Sequence, residues 1–173
     1  MTPIIISVAA LIVSAGSVVL ARLAWQESNR PIVTATIQTV DSGNLGTALK
    51  IVVANTGNRP AKDIRLHARE SELSLYFQFK GSEGDGVTDA IRRCFSDRGL
   101  IPVLANGECA ENAFGFLSVG AHESTWVSEC LLAIQITYGD TGTSRRFSER
   151  MKLRIGENTS FARGIWKNTS RQA

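Results

Sequence analysis

The chain has 173 residues, of which 20% are charged and 43% are hydrophobic, and it carries a net charge of +3. This composition excludes a wholly disordered chain, because such chains combine low hydrophobicity with high net charge. The small positive charge selects neither a nucleic acid nor an anionic membrane as the partner. Beyond an apolar N-terminal segment, roughly 140 residues remain, which is enough for one domain of ordinary size.

The most apolar part of the chain is its N-terminal segment, where Ile4 to Ala21 contains no charged residue. A helix that continues from there to Trp25 would be about 30 Å long, which matches the hydrocarbon thickness of a bilayer. Arg22 and Trp25 lie where a snorkelling cation and an interfacial aromatic residue are expected. We therefore predict a transmembrane anchor over residues 1–26 and a linker over 27–31.

A cleaved signal peptide is the alternative for this segment, with Val19-Leu20-Ala21 as the cleavage site. Such a peptide needs a positive charge before its apolar part, and none is present here. Arg22 and Arg30 lie close behind the uncharged run Ile4 to Ala21, so the charge distribution predicts a single-pass protein of the cell inner membrane with the N-terminus outside and the C-terminal domain in the cytoplasm. The odd number of cysteines, three, also favours a reducing compartment.

Small residues follow one another at intervals of three or four along the predicted span. They share one helix face, and they are Ser7, Ala10, Ser14, Ser17, Ala21 and Ala24. Small side chains allow two helix backbones to approach closely inside a membrane, where the hydrophobic effect does not drive helices together. We predict that this small-residue stripe is a helix–helix interface, although a stripe could also arise by chance in a segment so rich in small residues.

After Pro31 the hydrophobic pattern changes from helical to alternating, with many β-branched residues. The candidate strands before the middle of the chain cover 32–40, 47–55, 61–68 and 74–79. A hairpin over 131–155 follows later, with its turn at Gly139–Gly142 and one apolar face formed by Leu132, Ile134, Ile136 and Tyr138. These short strands predict a mainly β protein, an immunoglobulin-like antiparallel β-sandwich over residues 32–156.

A resemblance to a known kind of domain appears in the segment 51–66. A strand is followed there by Asn55-Thr56-Gly57 and Pro60-Ala61, and then by another strand. This order resembles the hairpin of bacterial immunoglobulin-like domains of the CARDB and related types, and Leu104 to Glu108 is similar to their later turn before the next strand. We expect Gly57 to supply a positive φ for the turn, and Pro60 lacks the amide proton that a central strand needs.

The chain also resembles small bacterial membrane proteins that have one N-terminal span followed by such a sandwich. This resemblance implies a binding or spacer module and not an enzyme.

An amphipathic helix interrupts the strand pattern over about 86–98, after the turn-rich KGSEGDG. Val87, Ile91, Cys94 and Phe95 lie on one side of this helix, and Gly99 would end it. The inserted helix is either a recognition element or a lid over an open end of the sandwich.

The residues that could carry chemistry do not form a known constellation. The two histidines, His67 and His122, lack the spacing of a zinc-protease helix, and Cys94 and Cys130 are expected to be core thiols. The basic residues of the segment 145–154 alternate with strand residues, which is typical of a solvated strand face; nucleic-acid binding would need interleaved aromatic residues. We predict no catalytic, cofactor-binding or metal-binding residue.

The C-terminal tail over 157–173 is basic and carries Arg163, Trp166 and Lys167. If helical, it would place an apolar edge between positive charges, a combination that suits a membrane interface. The alternative is a terminus whose tryptophan packs on the sandwich.

These observations predict a membrane-anchored, non-catalytic interaction or scaffold subunit that presents a cytoplasmic β-sandwich. Its expected partners are the lipid bilayer and a transmembrane helix from a second copy or another membrane subunit, with no nucleic acid, cofactor or small-molecule substrate. The alternative function is a periplasmic or extracellular ligand-binding module tethered by the same anchor.

Overall fold

The computed structural model describes residues 2–43, 46–77, 86–118 and 124–156. Its helices are α1 (Thr2–Ser28), α2 (Glu70–Tyr76) and α3 (Gly86–Cys94), with a 3-10 turn at Asp97–Gly99. Its strands are β1 (Val33–Gly43), β2 (Gly46–Asn55), β3 (Ala61–Ala68), β4 (Ile101–Leu104), β5 (Cys109–Ser118), β6 (Cys130–Asp140) and β7 (Arg146–Ile155). The predicted basic tail, with Arg163, Trp166 and Lys167, lies outside the described residues.

The strands form two antiparallel sheets, one in the order β1-β2-β5 and the other in the order β4-β3-β6-β7. This arrangement confirms the predicted mainly β sandwich with an N-terminal apolar helix and a short inserted helix. The strands of the three-stranded sheet correspond to A, B and E of an immunoglobulin fold, and β3, β6 and β7 correspond to C, F and G. β4 lies beside β3, as the C′ strand does in variable domains.

The core lies between the sheets and is formed by the alternating residues of the strands. The predicted apolar face of β6 is buried throughout, from Leu132 to Tyr138 at every second residue. On β7, Leu153 and Ile155 are buried, while Arg150, Lys152 and Arg154 are exposed, as the alternation predicts. The period of two therefore assigns the buried and solvated faces of this sheet correctly.

The inserted helix is confirmed, but it is shorter than predicted, because α3 ends at Cys94. Its buried side contains Ile91, Cys94 and Phe95, and it packs on β5. The Asn112 amide of β5 donates a hydrogen bond to the Cys94 sulfur at 3.1 Å, and the Phe95 ring meets the Phe114 ring edge to face at 6.0 Å. The apolar side of α3 is thus used for packing against the sandwich.

The predicted strand over 74–79 is wrong for residues 74–76, because residues 70–76 form α2, and residues 78–79 lie outside the described residues. Leu75, which the alternation assigns to the apolar face of a strand, is 68% exposed, and Leu73 is the buried residue of the helix. Two glutamates occupy the first turn of α2, where the helix dipole favours negative charge. One of them, Glu72, accepts a hydrogen bond from the Ala133 amide of β6 at 3.1 Å. This tertiary hydrogen bond stabilises the helix at that place, and Phe77 just after it forms an isolated bridge with Trp126.

The sequence pattern also does not reveal β4, a four-residue strand at the sheet edge. It contains Pro102, which is tolerated at an edge because no neighbouring strand needs its amide proton. The β6–β7 turn lies later than predicted, since β6 continues through Asp140 and β7 begins at Arg146.

Candidate functional site: the junction between helix α1 and the sandwich

Helix α1 exposes its apolar side chains along its length. Ile4, Leu11 and Leu20 are each about 70% exposed, and none of the span is buried against the described part of the sandwich. The helix is long and apolar enough to cross a membrane. An apolar surface of this size is not stable in water, so it requires an apolar phase or an apolar partner.

The small-residue stripe lies on this exposed helix and away from the sandwich. The hydroxyl groups of Ser7 and Ser17 donate hydrogen bonds to the carbonyl groups of Pro3 and Val13, each at 2.9 Å. These two donors are therefore satisfied inside the helix. The contribution of Ser7 and Ser17 to a helix contact would come from their small size more than from a donated hydrogen bond.

Asn55, the last residue of β2, connects three backbone segments near the C-terminal end of α1. Its side chain is fully buried, and its Oδ1 accepts hydrogen bonds from the amides of Ile32 at 3.3 Å and Gly57 at 3.1 Å. Its Nδ2 donates to the carbonyls of Arg59 at 2.7 Å, Leu104 at 3.1 Å and Ala105 at 3.2 Å. The linker, the β2–β3 turn and the β4–β5 turn are thus joined by one amide group.

Gly57 is needed for a different reason than the one predicted. Its φ is not in the left-handed region, so the expected positive φ is wrong. A Cβ atom at this position would lie 2.3 Å from the Ile32 nitrogen and 2.4 Å from the Arg30 oxygen. The glycine therefore allows the turn to contact the linker directly, where the Thr56 amide donates to the Ile32 carbonyl at 2.8 Å.

Hydrogen bonds hold the linker on both sides of Pro31. The Asn58 amide donates to the Arg30 carbonyl at 3.3 Å, and the Asn58 side chain donates to the Ser28 carbonyl at 3.3 Å. Ser28 is the last residue of α1, so the β2–β3 turn contacts the end of the helix itself. Helix and sandwich are joined by a short, hydrogen-bonded connection.

Arg59 connects Trp25 of α1 to the sandwich. Its guanidinium carbon lies 5.3 Å from the centroid of the Trp25 ring, within the range of a cation–π contact. Its Nη1 also donates to the Asp140 carboxylate at 3.0 Å. Asp140 accepts further hydrogen bonds from the Gly142 amide at 2.8 Å and the Thr143 hydroxyl at 2.9 Å.

The carboxyl group of Asp140 is held in its charged form. Burial by itself would raise its pKa, but the hydrogen bonds from Gly142, Thr143 and Arg59, together with the charge of Arg59, outweigh burial, so that the pKa lies below its usual value. The ion pair is therefore present at neutral pH, and it orients the guanidinium group toward Trp25.

A second set of contacts holds the other side of the linker. The Arg30 guanidinium lies 5.8 Å above the Phe147 ring and 4.0 Å from the Glu149 carboxylate. Glu149 accepts a hydrogen bond from the Tyr138 hydroxyl at 2.7 Å. Burial, and then the hydrogen bond and negative charge of Glu149, raise the pKa of Tyr138, so that the phenol stays protonated and continues to donate.

The structure thus places the predicted interfacial residues in two different surroundings. Trp25 belongs to the junction, whereas Arg22 lies one turn earlier on the exposed helix, as do the stripe residues. No sequence pattern identifies Arg59 and Asp140 as partners of Trp25. Asn55 and Gly57 are visible in the sequence as parts of a turn motif, but not as the residues that hold the linker.

Other candidate groups stay separate from the junction. The His67 ring nitrogen lies 3.2 Å from the Thr137 hydroxyl, and the side chain is half-buried, whereas His122 lies outside the described residues. Cys94 and Cys130 are buried as predicted, which raises the pKa of each thiol, and all three cysteines are free. Within the described residues, no group of three or more histidine, cysteine or acidic side chains could hold a metal ion.

Comparison with known proteins gives one family. The model of a domain of unknown function (DUF8453) matches residues 1–158. The chain belongs to this family. The match covers helix α1, the junction and both sheets, so the family model includes the helix together with the sandwich. No curated protein and no solved structure matches the chain.

Replacement of Asn55 by alanine should strongly destabilise the sandwich. It removes the acceptor of two backbone amides and a donor to three carbonyls, and each buried group left without a partner costs about 1–3 kcal/mol. The Ala105 carbonyl keeps its hydrogen bond from the Glu108 amide. We expect a loss of about 3 kcal/mol or more in the free energy of unfolding, measured by urea denaturation of the full chain in mild detergent. Asn58→Ala is the matched control, since the exposed Asn58 side chain donates one hydrogen bond and its loss should cost about 0.5–1 kcal/mol. Equal losses for the two variants would contradict the role of Asn55.

Replacement of Asp140 by asparagine should destabilise the protein in a pH-dependent way. Because the folded-state pKa lies below the ordinary value of 3.8, the charged carboxylate stabilises the fold fully above that value and loses its effect as the pH falls through the folded-state pKa. At pH 7 we expect Asp140→Asn to lower the free energy of unfolding by about 2 kcal/mol. The difference between the two proteins should shrink below about pH 4.

Thermal unfolding of both proteins between about pH 7 and about pH 3 would measure this difference. Asp97→Asn is the control, because the exposed Asp97 carboxylate pairs with Arg65 at the surface and its loss should cost less than about 0.5 kcal/mol at pH 7. A difference between wild type and Asp140→Asn that stays constant down to the lowest pH would contradict the assignment.

Proposed function

We propose that this protein is a membrane-anchored, non-catalytic interaction or scaffold subunit. Helix α1 crosses the cell inner membrane once, with the N-terminus outside, and the sandwich lies in the cytoplasm. The observation that carries this proposal is the continuous apolar surface of α1, which no part of the described sandwich covers. A bilayer supplies the apolar phase that such a helix needs.

The orientation is supported by the residues around the C-terminal end of the helix. Arg22 and Arg30 flank that end, and positive residues are enriched on the cytoplasmic side of membrane spans. The three free cysteines agree with a reducing compartment.

The junction supports a structural role for the anchor. A flexible tether would only keep the domain near the membrane, whereas the contacts of Asn55, Gly57 and Arg59 hold the sandwich at a defined position relative to α1. A partner that contacts α1 inside the membrane would therefore also find the sandwich in a defined place. This is the arrangement that a scaffold subunit needs.

We expect the partners to be the lipid bilayer and another transmembrane helix, which contacts the small-residue stripe. Nucleic acid is not an expected partner, because Phe147, the aromatic residue of the basic strand β7, packs against other side chains of the protein. Phe147 stacks on Tyr138 with 5.3 Å between the ring centroids, and the Arg30 guanidinium lies above it. Its ring is therefore engaged in packing and not offered to a base.

A reporter that is active only in the cytoplasm should be active when fused after Ala173. We expect this because the positive charge at the C-terminal end of α1 favours a cytoplasmic location for everything after the helix. The matched control is a fusion at the same position to a reporter that is active only after export, and it should give no signal. The reverse result would contradict the cytoplasmic location and favour a periplasmic or extracellular ligand-binding module.

The double change Ser14→Leu and Ser17→Leu should weaken helix association in a membrane-based two-hybrid assay. Larger side chains on the stripe keep the backbones apart, and we expect a loss of about 1 kcal/mol or more in association free energy. The control is Ile12→Leu with Val19→Leu, which changes residues outside the stripe and should have little effect. Equal effects from the two pairs would mean that the stripe is not the interface.

A further inference from the structure

The turn between β6 and β7 lies beside the C-terminal end of α1. Trp25 contacts Arg59, and Arg59 is hydrogen-bonded to Asp140. The Asp140 amide in turn donates to the Arg145 carbonyl at 3.1 Å, across the turn. A short series of direct contacts therefore connects the interfacial tryptophan of the helix to the turn.

This position places the turn at the level of the lipid headgroups. Helix α1 ends at Ser28, three residues after Trp25, which is a rise of about 4.5 Å. The headgroup layer of one leaflet is about 5–8 Å thick. Because hydrogen bonds hold the linker on both sides of Pro31, the sandwich begins within this layer and cannot move far from it.

The end of the sandwich beside α1 carries three basic side chains that have no acidic partner among the described residues. Arg145 and Arg146 are exposed on the turn and at the start of β7. Lys62 on β3 and Arg146 on β7 are the strand partners of Gly139 on β6. The Lys62 side chain lies over this glycine, since its Cγ is 3.3 Å from the place that a Cβ atom of residue 139 would occupy. Within the described residues, none of these three cations forms an ion pair, since the neighbouring Asp140 and Glu149 lie against Arg59 and Arg30.

We propose that this end of the sandwich binds the headgroups of anionic phospholipids, with Arg145 and Arg146 as the main contacts and Lys62 beside them. The inference rests on the proposed membrane span of α1 and adds a lipid class to the proposed bilayer partner. The lipid is always within reach, because the anchor holds the turn at the surface, so even a weak contact is populated. Each basic side chain near an anionic leaflet increases the association constant of the protein surface with that leaflet by about fivefold.

The test uses the full chain in vesicles of neutral lipid, with a fluorophore on a single exposed cysteine. Cys109→Ser removes the exposed native thiol, and Cys94 and Cys130 are buried. Ser144→Cys places the label on the turn, and Ser128→Cys places it at the opposite end of β6, roughly 35 Å away. The quencher is a nitroxide attached to the acyl chain close to the headgroup. It is carried by either phosphatidylglycerol or phosphatidylcholine, and each labelled lipid is added in the same small amount.

We expect both quenchers to act at residue 144, with phosphatidylglycerol several-fold stronger, and neither to act at residue 128. The excess should disappear in Arg145→Gln/Arg146→Gln and at high salt, and it should persist in Arg145→Lys/Arg146→Lys, because charge and not shape selects the lipid. Equal quenching by the two lipids, or an unchanged excess in the glutamine variant, would overturn the proposal.

The recovery of the protein with the vesicles after an alkaline wash reports separately on the anchor. Protein that stays with the vesicles while the excess at residue 144 is missing disproves the headgroup site and leaves the span intact. Protein that is washed off disproves the span, and the headgroup site with it.

Discussion

The buried side chain of Asn55 is the interaction on which the arrangement of this protein depends. An amide group has two donors and an acceptor, and here all of them are used on backbone groups from three separate segments. These segments are far apart in the sequence, and this one side chain bonds to all of them. A fully buried amide with any partner missing would be costly, so the three segments are held in place together. The linker position is therefore part of the fold and not an appendage to it.

The two ends of the sandwich are closed by different means. Near α1, polar and charged side chains close it, where Asp140 is matched to an arginine and Glu149 to a tyrosine. Toward the start of β6, aromatic packing closes it, where the Phe114 ring stacks on Trp126 at 4.6 Å and Phe77 meets the same tryptophan at 4.7 Å. Aromatic packing excludes water and needs no matched charge. With α1 in a membrane, as proposed, the polar end would lie at the membrane surface, where water, ions and headgroups are all present.

The charge pairs of the junction also decide which neighbouring cations form no ion pair in the described part of the chain. Arg59 and Arg30 are used on Asp140 and Glu149, and both also lie over aromatic rings. The arginines at the start of β7 have no such neighbours in the described part of the chain. Side chains of the same type thus have either a structural or a surface role. The difference comes from the neighbours that the sheet register brings to each of them.

Only the tertiary structure decided the features that depend on contacts between distant segments, whereas the sequence by itself determined those that depend on local periodicity. The apolar span, the strands β1 to β3, the β6–β7 hairpin and its buried face all follow from repeats of 3.6 or 2 residues, because such repeats place side chains on one face whatever the rest of the chain does. The inserted helix follows in the same way, although its end at Cys94 does not.

Residues 70–76 alternate like a strand, but they form α2, where Glu72 satisfies the free amide of Ala133. Gly57 is visible as part of a turn motif, yet it is required by the Arg30 and Ile32 backbone and not by its own φ. The set formed by Trp25, Arg59 and Asp140 spans more than a hundred residues of sequence, and no spacing rule connects its members. Periodicity describes one segment at a time, whereas the junction exists only when the linker, two turns and a hairpin meet.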